Sequence, residues 1–460
     1  MVKKKMTLEE KLEEAIIKDV PYETPKNWSY IKFKNILNSD KNSLKRGPFG
    51  SAIKKDYFVE SGYKVYEQKN AIYNDMRLGN YYIDEEKYRE LEAFSLKPGD
   101  LIVSCSGTVG KIAVIPEEAE EGVMNQALLK IQLDNRIILT KYFMYLFNSE
   151  PFISNVLDSS RGTAIKNIAA TKVLKEIGVP IPPLKEQQRI VNKIESLFEK
   201  LDKSKELIEE AREDYEKRKS AILEKAFIGE LTREYRKRFN LDINKWEKIK
   251  ISHFTEIISG NAFKSKDFIE KGEIKCVKIT NVGVGYYENE DTYLPKTFIN
   301  EFSRFKVKKD DILISLTRSY INAGLKVCLY PYDNYSLLNQ RVALIRYDNY
   351  KYLYYYLRTN KVLDYVKEKS KTTNQPNLSI KELKNMEIPI PSKQEQDEIV
   401  KILDKLLEEE SKIEELTTLE EQIELLKKSI LAKAFRGQLG TNCENEESAL
   451  ELLKEILNKE

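Results

Sequence analysis

Cysteine and histidine are scarce in this 460-residue chain, and their scarcity excludes several classes of protein. The four cysteines lie far apart and form no CxxC pair, so the sequence predicts neither a disulfide framework nor a zinc site. The one histidine, His253, argues against catalytic triads and histidine-ligated metals, and its surroundings favour a structural or surface role. No run of 18 apolar residues occurs, and the N-terminal residues lack the apolar core of a signal peptide. A cytoplasmic protein that does not enter the membrane is therefore expected.

Motifs for nucleotide binding and methyl transfer are incomplete or missing. SGTVGK (106–111) is similar to a phosphate loop, but Cys105 stands where the first glycine belongs and Ile112 where the Ser/Thr belongs. GVGYY (283–287) lacks the third glycine of a dinucleotide-binding motif. The sequence has no Asn/Asp-Pro-Pro-aromatic motif for adenine methylation and no recognisable nuclease spacing of carboxylates. We therefore predict that this chain carries no catalysis of its own and binds no metal or cofactor.

Charge is unevenly distributed, although the net charge is only +3. Residues 244–392 contain 25 Lys/Arg and 17 Asp/Glu, whereas residues 393–439 contain 8 and 12. The tail, residues 440–460, contains 2 Lys/Arg and 6 Asp/Glu. A basic globular segment followed by an acidic helix and tail indicates a nucleic-acid surface on the globular part.

The chain is an internal duplication. PIPPLKEQQRIV (180–191) recurs as PIPSKQEQDEIV (389–400), and KSAILEKAFIGEL (219–231) recurs as KSILAKAFRGQL (428–439). Looser matches follow in the same order, and so many ordered matches exclude chance. They are NWSYIKF (27–33) with KWEKIKI (245–251), GSAIKKDYF (50–58) with GNAFKSKDF (260–268), LKPGDLIVS (96–104) with VKKDDILIS (307–315), MNQALLKI (124–131) with LNQRVALI (338–345), and KYFMYLF (141–147) with KYLYYYL (351–357).

Each copy ends in a predicted helix of about 40 residues, roughly 60 Å long. Pro182–Pro183 opens the first, a Ser392–Glu395 capping box opens the second, and Gly229 and Gly437 lie where a left-handed C-cap is expected. An apolar stripe at steps of 3, 4 or 7 residues must be buried, and the other copy's helix is the favoured partner, in an antiparallel coiled coil. The alternative is that each stripe packs on its own domain. The stripes are Ile190, Ile194, Leu197, Leu201, Ile208, Ala211, Tyr215 and Ile222, and Ile399, Ile402, Leu406, Ile413, Leu416, Ile423 and Ile430.

The globular copies are predicted to be mixed α/β (α+β). KPGDLIVS and KDDILIS are typical of a turn followed by a buried strand. KYFMYLF and KYLYYYL predict aromatic-rich helices, whose rings we assign to the core rather than to base stacking.

Polar loops occupy matching places in both copies and supply the candidates for DNA contact. Lys and Arg can hold phosphates, while Arg, Asn and Gln can read guanine or adenine edges. A turn or cap role is equally compatible with any single one of them. The candidates are Lys54, Lys55, Ser106, Thr108, Lys111, Asn125, Gln126, Arg161, Thr163 and Lys166 in the first copy, and Lys264, Lys266, Thr317, Arg318, Asn322, Asn339, Gln340, Arg341, Lys371, Asn374 and Gln375 in the second.

The repeated Pro-Ile-Pro…Glu-Gln and Lys-Ala-Phe-x-Gly motifs, with RGPFGSAIK, LKPGDLIVSCSGTVGK and RGTAIKNIAATKVLKEIGVPIP, resemble the specificity subunit of type I restriction–modification systems across essentially the whole chain. The resemblance implies two target recognition domains and conserved helices that read a two-part site in double-stranded DNA. It implies two methylation subunits that bind S-adenosylmethionine, and motor-nuclease subunits that use ATP and Mg²⁺. The implied docking elements are Glu186, Gln187, Phe227, Glu395, Gln396 and Phe435, with helix capping and core packing as their alternative roles.

The resemblance and the repeat together suggest seven segments, with the N- and C-terminal helices lying side by side. The segments are an N-terminal helix (1–24), a first recognition domain (25–179), a central helix (180–230), a linker (231–244), a second recognition domain (245–388), a distal helix (389–438) and an acidic C-terminal helix (439–460). Two other functions stay open from the sequence: a coiled-coil scaffold with protein-binding ends, and part of a fused restriction-methylation enzyme.

Overall fold

A computed structural model describes residues 7–49, 51–157, 167–370, 376–411 and 415–459. The chain divides into two units, each with its own core. The first comprises Met1–Leu207 and Leu419–Glu460, and the second comprises Ile208–Thr418. Both boundaries fall in the long helical segments, so each unit combines one globular copy with part of both predicted helices.

The first globular copy contains ten strands and five α-helices within its described residues, and the N-terminal helix precedes it. In chain order with the N-terminal helix they are α1 (Leu8–Ala15), β1 (Ser29–Lys32), β2 (Leu44–Arg46), β3 (Tyr63–Tyr66), α2 (Gln68–Tyr73), β4 (Tyr82–Ile83), α3 (Glu85–Glu90), β5 (Ser95–Leu96), β6 (Leu101–Ser104), β7 (Ile112–Val114), β8 (Gly122–Met124), β9 (Leu128–Ile131), α4 (Thr140–Phe147), α5 (Glu150–Val156), α6 (Thr171–Leu174) and β10 (Gly178–Ile181).

The long helix α7 (Leu184–Phe227) follows and enters the second unit at Ile208. The remaining elements are α8 (Arg233–Phe239), β11 (Glu247–Lys250), β12 (Glu256–Ser259), β13 (Ile274–Val277), β14 (Tyr293–Leu294), α9 (Phe298–Glu301), β15 (Lys306–Val307), β16 (Ile312–Ser315), β17 (Tyr320–Ile321), β18 (Gly324–Leu325), β19 (Val327–Leu329), β20 (Ser336–Leu338), β21 (Val342–Arg346), α10 (Tyr350–Leu357), α11 (Asn360–Lys369), α12 (Ile380–Asn385), β22 (Glu387–Ile390), α13 (Lys393–Ser411), α14 (Glu415–Ala434) and α15 (Ala449–Lys459).

The two copies share one sheet plan, which confirms the duplication at the level of the fold. The first has sheets β2-β9-β6-β7 and β4-β3-β8-β5 with the pair β1-β10; the second has β12-β21-β16-β19 and β14-β13-β20-β15 with the pair β11-β22. Each plan contains one parallel pair, β3 with β8 and β13 with β20, among antiparallel pairs. The second copy adds a short hairpin, β17-β18.

The apolar runs form central strands that are buried on both faces, as predicted. In β6, Leu101 and Val103 face the main core, and Ile102 faces a second, smaller core. In β16, Ile312 and Ile314 face one core and Leu313 another. Since successive side chains of a strand point to opposite faces, a continuous apolar run is what two flanking cores require.

The aromatic helices α4 and α10 supply core rings, which confirms the prediction made for them. Tyr142, Phe143 and Phe147 are buried in the first copy, and Tyr352 and Tyr356 in the second. His253 is exposed at the end of a 3-10 turn, Ile251–His253, consistent with a surface role.

Within the first unit, α7 and α14 run antiparallel. Asp202 pairs with Lys427 at 2.5 Å and Lys205 with Glu424 at 3.8 Å, so the partner's number falls as the number along α7 rises. The start of α7 is different: Ile190 and Ile194 join the core of their own domain, together with Leu431 and Phe435. The two alternatives for the stripe therefore both hold, because the same helix packs against its own domain and against the other copy's helix.

Glycines end the long helices as predicted. Gly229 and Gly437 have φ values of +82° and +70°, a left-handed conformation that glycine adopts without a Cβ clash. The N- and C-terminal helices lie together in the first unit, where Lys11 Nζ donates to the carbonyl of Leu457 at 3.1 Å. Among the described helices, none is both long enough and apolar enough to span a membrane.

Candidate nucleic-acid interface

The turn between β6 and β7 presents three of the candidate side chains. Ser104 Oγ donates to the carbonyl of Thr108 at 2.6 Å and accepts from the backbone N–H of Lys111 at 3.0 Å, which closes the turn from within. Gly107 has a φ of +60° at its tip. Ser106, Thr108 and Lys111 are exposed. SGTVGK is thus the connection of an antiparallel strand pair, not the strand-to-helix loop that cradles phosphate.

The second copy begins the corresponding turn with an equivalent serine, but the turn has a different side chain at its tip. Ser315 Oγ donates to the carbonyl of Thr317 at 2.8 Å, and the residue three positions after this serine is Arg318, with a φ of +49°. Its counterpart is Gly107, three positions after Ser104. A non-glycine residue in the left-handed region costs about 1 kcal/mol. Arg318 is exposed, so its side chain gains no packing that would offset this strain.

Lys326 is the counterpart of Lys111, which the sequence comparison missed. The backbone N–H of Ser104 donates to the carbonyl of Lys111 at 2.9 Å, and that of Ser315 donates to the carbonyl of Lys326 at 3.0 Å. The second turn is longer because it contains the hairpin β17-β18. Burial, and then the like charge of Arg318, lower the pKa of Lys326, whose Nζ donates to the carbonyl of Ile279 at 2.6 Å.

A second turn, carrying Asn-Gln in both copies, lies beside the first. Asn125 Oδ1 accepts from the N–H of Ala127 at 2.9 Å, so part of this amide has a structural role. Asn339 Nδ2 lies 4.0 Å from the sulfur of Cys276. Both asparagines are half-buried, whereas the candidates Gln126, Gln340 and Arg341 are exposed.

Glycine holds the preceding strand against this turn, and it corrects the sequence alignment of the copies. A Cβ added at Gly47 would overlap the carbonyl oxygen of Asn125, and one at Gly260 would overlap that of Asn339. Gly47 is therefore the counterpart of Gly260; pairing Gly50 with Gly260 from the sequence was wrong, because the first copy has three extra residues before the following 3-10 turn.

The two turns and the end of β2 enclose a cleft of ≈ 620 Å³ in the first copy. Arg46 Nη2 donates to Asn167 Oδ1 at 2.8 Å along its wall. The cleft brings together the candidates Ser106 and Gln126 with residues that sequence reasoning missed. Its lining comprises Lys45, Arg46, Gly47, Pro48, Phe49, Phe94, Cys105, Ser106, Gly107, Gln126 and Asn167. The sequence signal for this cleft is RGPF (46–49), in which an arginine and an aromatic residue flank Gly47 and Pro48.

Other candidates lie apart from this cleft or outside the described residues. Lys54, Lys55, Lys264 and Lys266 are exposed around 3-10 turns at Lys55–Tyr57 and Ser265–Asp267. Asn322 lines a different groove, between the β17-β18 loop and the second half of α7. Arg161, Thr163, Lys166, Lys371, Asn374 and Gln375 lie outside the described residues.

The six residues expected to dock partner proteins are internal to each unit. The structure thus favours the packing and capping alternative, because a side chain without exposed surface cannot present a docking face. Gln187 Oε1, for example, accepts from the N–H of Leu139 at 2.8 Å. Their exposed fractions are 0% for Glu186, 0% for Gln187, 8% for Phe227, 2% for Glu395, 3% for Gln396 and 1% for Phe435.

Glu186 and Glu395 are equivalent buried acids with different partners. Glu186 Oε2 accepts from Trp28 Nε1 and Asn442 Nδ2, both at 2.9 Å. Burial raises the pKa of Glu186, and these two hydrogen bonds partly offset the rise. Glu186 therefore joins the chain's start and end to α7.

Glu395 Oε2 accepts from Trp246 Nε1 at 3.0 Å, and its Oε1 accepts from Thr232 and Arg236, both at 2.8 Å. The capping box predicted at the start of α13 is only half formed. Ser392 Oγ caps the N–H of Glu395 at 3.3 Å, but the carboxylate is directed to the linker. Glu395 thus forms an ion pair with Arg236, where Glu186 accepts a hydrogen bond from the neutral side-chain amide of Asn442.

Comparison with known families identifies the family to which a chain with these paired turns belongs. The model of the type I restriction modification DNA specificity domain matches twice, over residues 25–213 and 243–425. The chain belongs to this family. The specificity subunit is the DNA-recognition part of a type I system and not its catalytic part, and it acts with methylation and restriction subunits.

Relatives extend over most of the chain. The MjaVIII specificity subunit of Methanocaldococcus jannaschii is 29% identical over 344 residues, which cover 70% of this specificity subunit and 75% of the relative. The EcoKI specificity subunit of Escherichia coli K12 is 26% identical over 362 residues, covering 76% of each.

Solved structures support the fold. A chain of a type I restriction–modification system is similar with a TM-score of 0.66 and 21% identity over 91% of this specificity subunit and 100% of that chain. The HsdS subunit of Thermoanaerobacter tengcongensis is similar with a TM-score of 0.53 and 21% identity, over 92% of this specificity subunit and 100% of that chain.

Proposed function

We propose that this specificity subunit binds a bipartite, interrupted site in double-stranded DNA, with each globular copy reading one half-site through its paired turns. The observation that carries this proposal is that equivalent strands and serines, Ser104 and Ser315, hold turns with different tips, with Gly107 in the first copy and Arg318 with an inserted hairpin in the second. Two domains that share their strands but differ in the exposed residues of their turns can recognise two different half-sites. Base contacts supply specificity, and phosphate contacts supply much of a salt-dependent affinity.

Two methylation subunits dock on the helical segments in this proposal, and motor-nuclease subunits join them. S-adenosylmethionine, ATP and Mg²⁺ are bound by those partners, and the complex works in the cytoplasm. Exposed apolar side chains on the helices of the first unit support a docking surface there. They are Leu207 at 52%, Leu419 at 39%, Leu425 at 62% and Leu426 at 50% exposure. Exposed leucines on both helical segments are consistent with a surface that a partner covers.

The test has two parts. Mapping the methylated adenines of a host that carries the system gives the target and its spacer. Binding of that duplex and of a random duplex is then measured by gel shift across salt concentrations, with and without the methylation subunit. We expect a preference for the mapped duplex and a fall in affinity with salt. A complex that binds both duplexes equally would contradict sequence recognition.

A further inference from the structure

Phe49 is the most exposed large apolar side chain among the described residues, at 91%. It lies at the mouth of the first copy's cleft, one residue after Pro48. Since 91% of its surface is open to water, the ring contributes little to the fold. The first copy has three more residues than the second between Gly47 and the following 3-10 turn, and Gly47 is the glycine that holds the segment against the Asn125 turn.

The chemistry around Phe49 fits the edge of a base pair. The cleft lining contains two basic residues, Lys45 and Arg46, and no acidic one. Gln126 is exposed beside them. Arg46 donates one Nη to Asn167 and its guanidinium also interacts with the thiol of Cys105, while its Nε is buried without a hydrogen-bond partner in the structure. Arginine and glutamine read guanine and adenine, and an apolar side chain reads the 5-methyl group of thymine.

We infer that Phe49 is a specificity-determining residue of the first domain, which contacts the 5-methyl group of one thymine in its half-site. This inference rests on the proposed function and adds the chemical group that is read. The occupant is a DNA base rather than a protein, because the surrounding side chains are basic and amide-bearing.

The experiment uses the full chain assembled with its methylation subunits. Each thymine of the mapped half-sites is replaced in turn by uracil, which removes only the methyl group. For the wild type, one position should weaken binding about three- to fivefold, as expected for one buried methyl group. Phe49→Ala should bind the parent duplex more weakly and be indifferent to that uracil, whereas Phe49→Leu should keep part of the sensitivity.

Tyr73→Ala is the matched control, because Tyr73 is another exposed aromatic of the same domain, at 71%, and does not line the cleft. It should behave as wild type at every position. The inference is overturned if no uracil in either half-site affects the wild type, if Phe49→Ala keeps the full sensitivity, or if Phe49→Ala weakens assembly with the methylation subunits without DNA.

The two levels of failure can be told apart. A wild-type complex that does not prefer the mapped duplex over random DNA refutes the proposed function itself. A complex that prefers the mapped duplex but ignores every uracil refutes only the role of Phe49.

Discussion

Arg318 shows how a single residue can separate two copies of one turn. Its backbone adopts a conformation that glycine supplies without strain in the other copy, and its side chain is exposed. Strain of this kind persists where surrounding structure enforces it, and it is concentrated at functional sites. The turn itself is held by Ser315 and does not need an arginine at its tip.

The first prediction separates folding from recognition at Arg318. Arg318→Gly removes about 1 kcal/mol of backbone strain, so thermal stability should stay equal or rise. Specific DNA binding should fall by about 1–3 kcal/mol if the guanidinium makes a bidentate base contact. Arg318→Lys keeps the charge but not the planar fork, and should lose specificity at one position of the second half-site. Unchanged binding and an unchanged methylated sequence in both variants would show that Arg318 does not contact a base.

Glu186 and Glu395 give a matched pair for a second prediction at this scale. Glu186→Gln should change stability by less than about 1 kcal/mol, because the acid already has only neutral partners and an unpaired Oε1. Glu395→Gln should cost about 3 kcal/mol or more, because it leaves the buried Arg236 without its counter-charge. Thermal unfolding of both variants measures the difference, and equal effects would contradict it.

The raised pKa of Glu186 adds a pH dependence to the same variants. Its contribution to stability is full below the ordinary pKa of 4.5 and is lost as pH rises through the raised value. Glu186→Gln stays neutral, so as pH rises above 4.5 it should lose less stability than the wild type. Parallel curves for the two proteins would show that Glu186 does not titrate in this range.

At the scale of elements, the packing of a strand against a turn leads to a third prediction. Gly47→Ala should distort the Asn125 turn, because the new methyl group overlaps a backbone carbonyl that has no room to move. A loss of about 2 kcal/mol or more is expected, within the range for overpacking. Gly99→Ala is the control: its φ is +86° but nothing lies within 4 Å of an added Cβ, so only the backbone cost of about 1 kcal/mol applies. Similar losses in the two variants, measured by thermal unfolding, would contradict the close contact.

Elements were predictable from sequence where a local pattern decides them. The runs around Leu101 and Ile312 and the stops at Gly229 and Gly437 are set by short-range apolar pattern and backbone conformation. The pairing of Lys111 with Lys326 was not predictable, because an inserted hairpin separates the two strands by different lengths. Only the hydrogen bonds of Ser104 and Ser315 identify the equivalent positions.

For the whole molecule, the duplication and the family could be predicted from repeated motifs, but the docking residues could not. Glu186 and Glu395 recur because each accepts a hydrogen bond from a tryptophan. Glu186 also binds Asn442 in the C-terminal segment, and Glu395 also binds Arg236 in the linker. Recurrence alone does not distinguish an internal structural role from a shared partner. The cleft was not predictable either, because its walls come from segments that are far apart in the sequence; Arg46 and Asn167, for example, are 121 residues apart.

The last prediction tests whether the helices set the spacer between the two proposed half-sites. The Asp202–Lys427 and Lys205–Glu424 pairs fix an antiparallel register, in which position 207 corresponds to position 422. Inserting four residues between 207 and 208 and four between 421 and 422 adds about one helical turn, or about 6 Å, to both helices. At about 3.4 Å per base pair, the methylated target should gain one or two base pairs of spacer and keep both half-sites. A one-residue insertion in α7 alone rotates its stripe by about 100° and should weaken folding instead. Methylation mapping in a host checks the outcome, and an unchanged spacer in a folded four-residue variant would show that the helices do not set the distance.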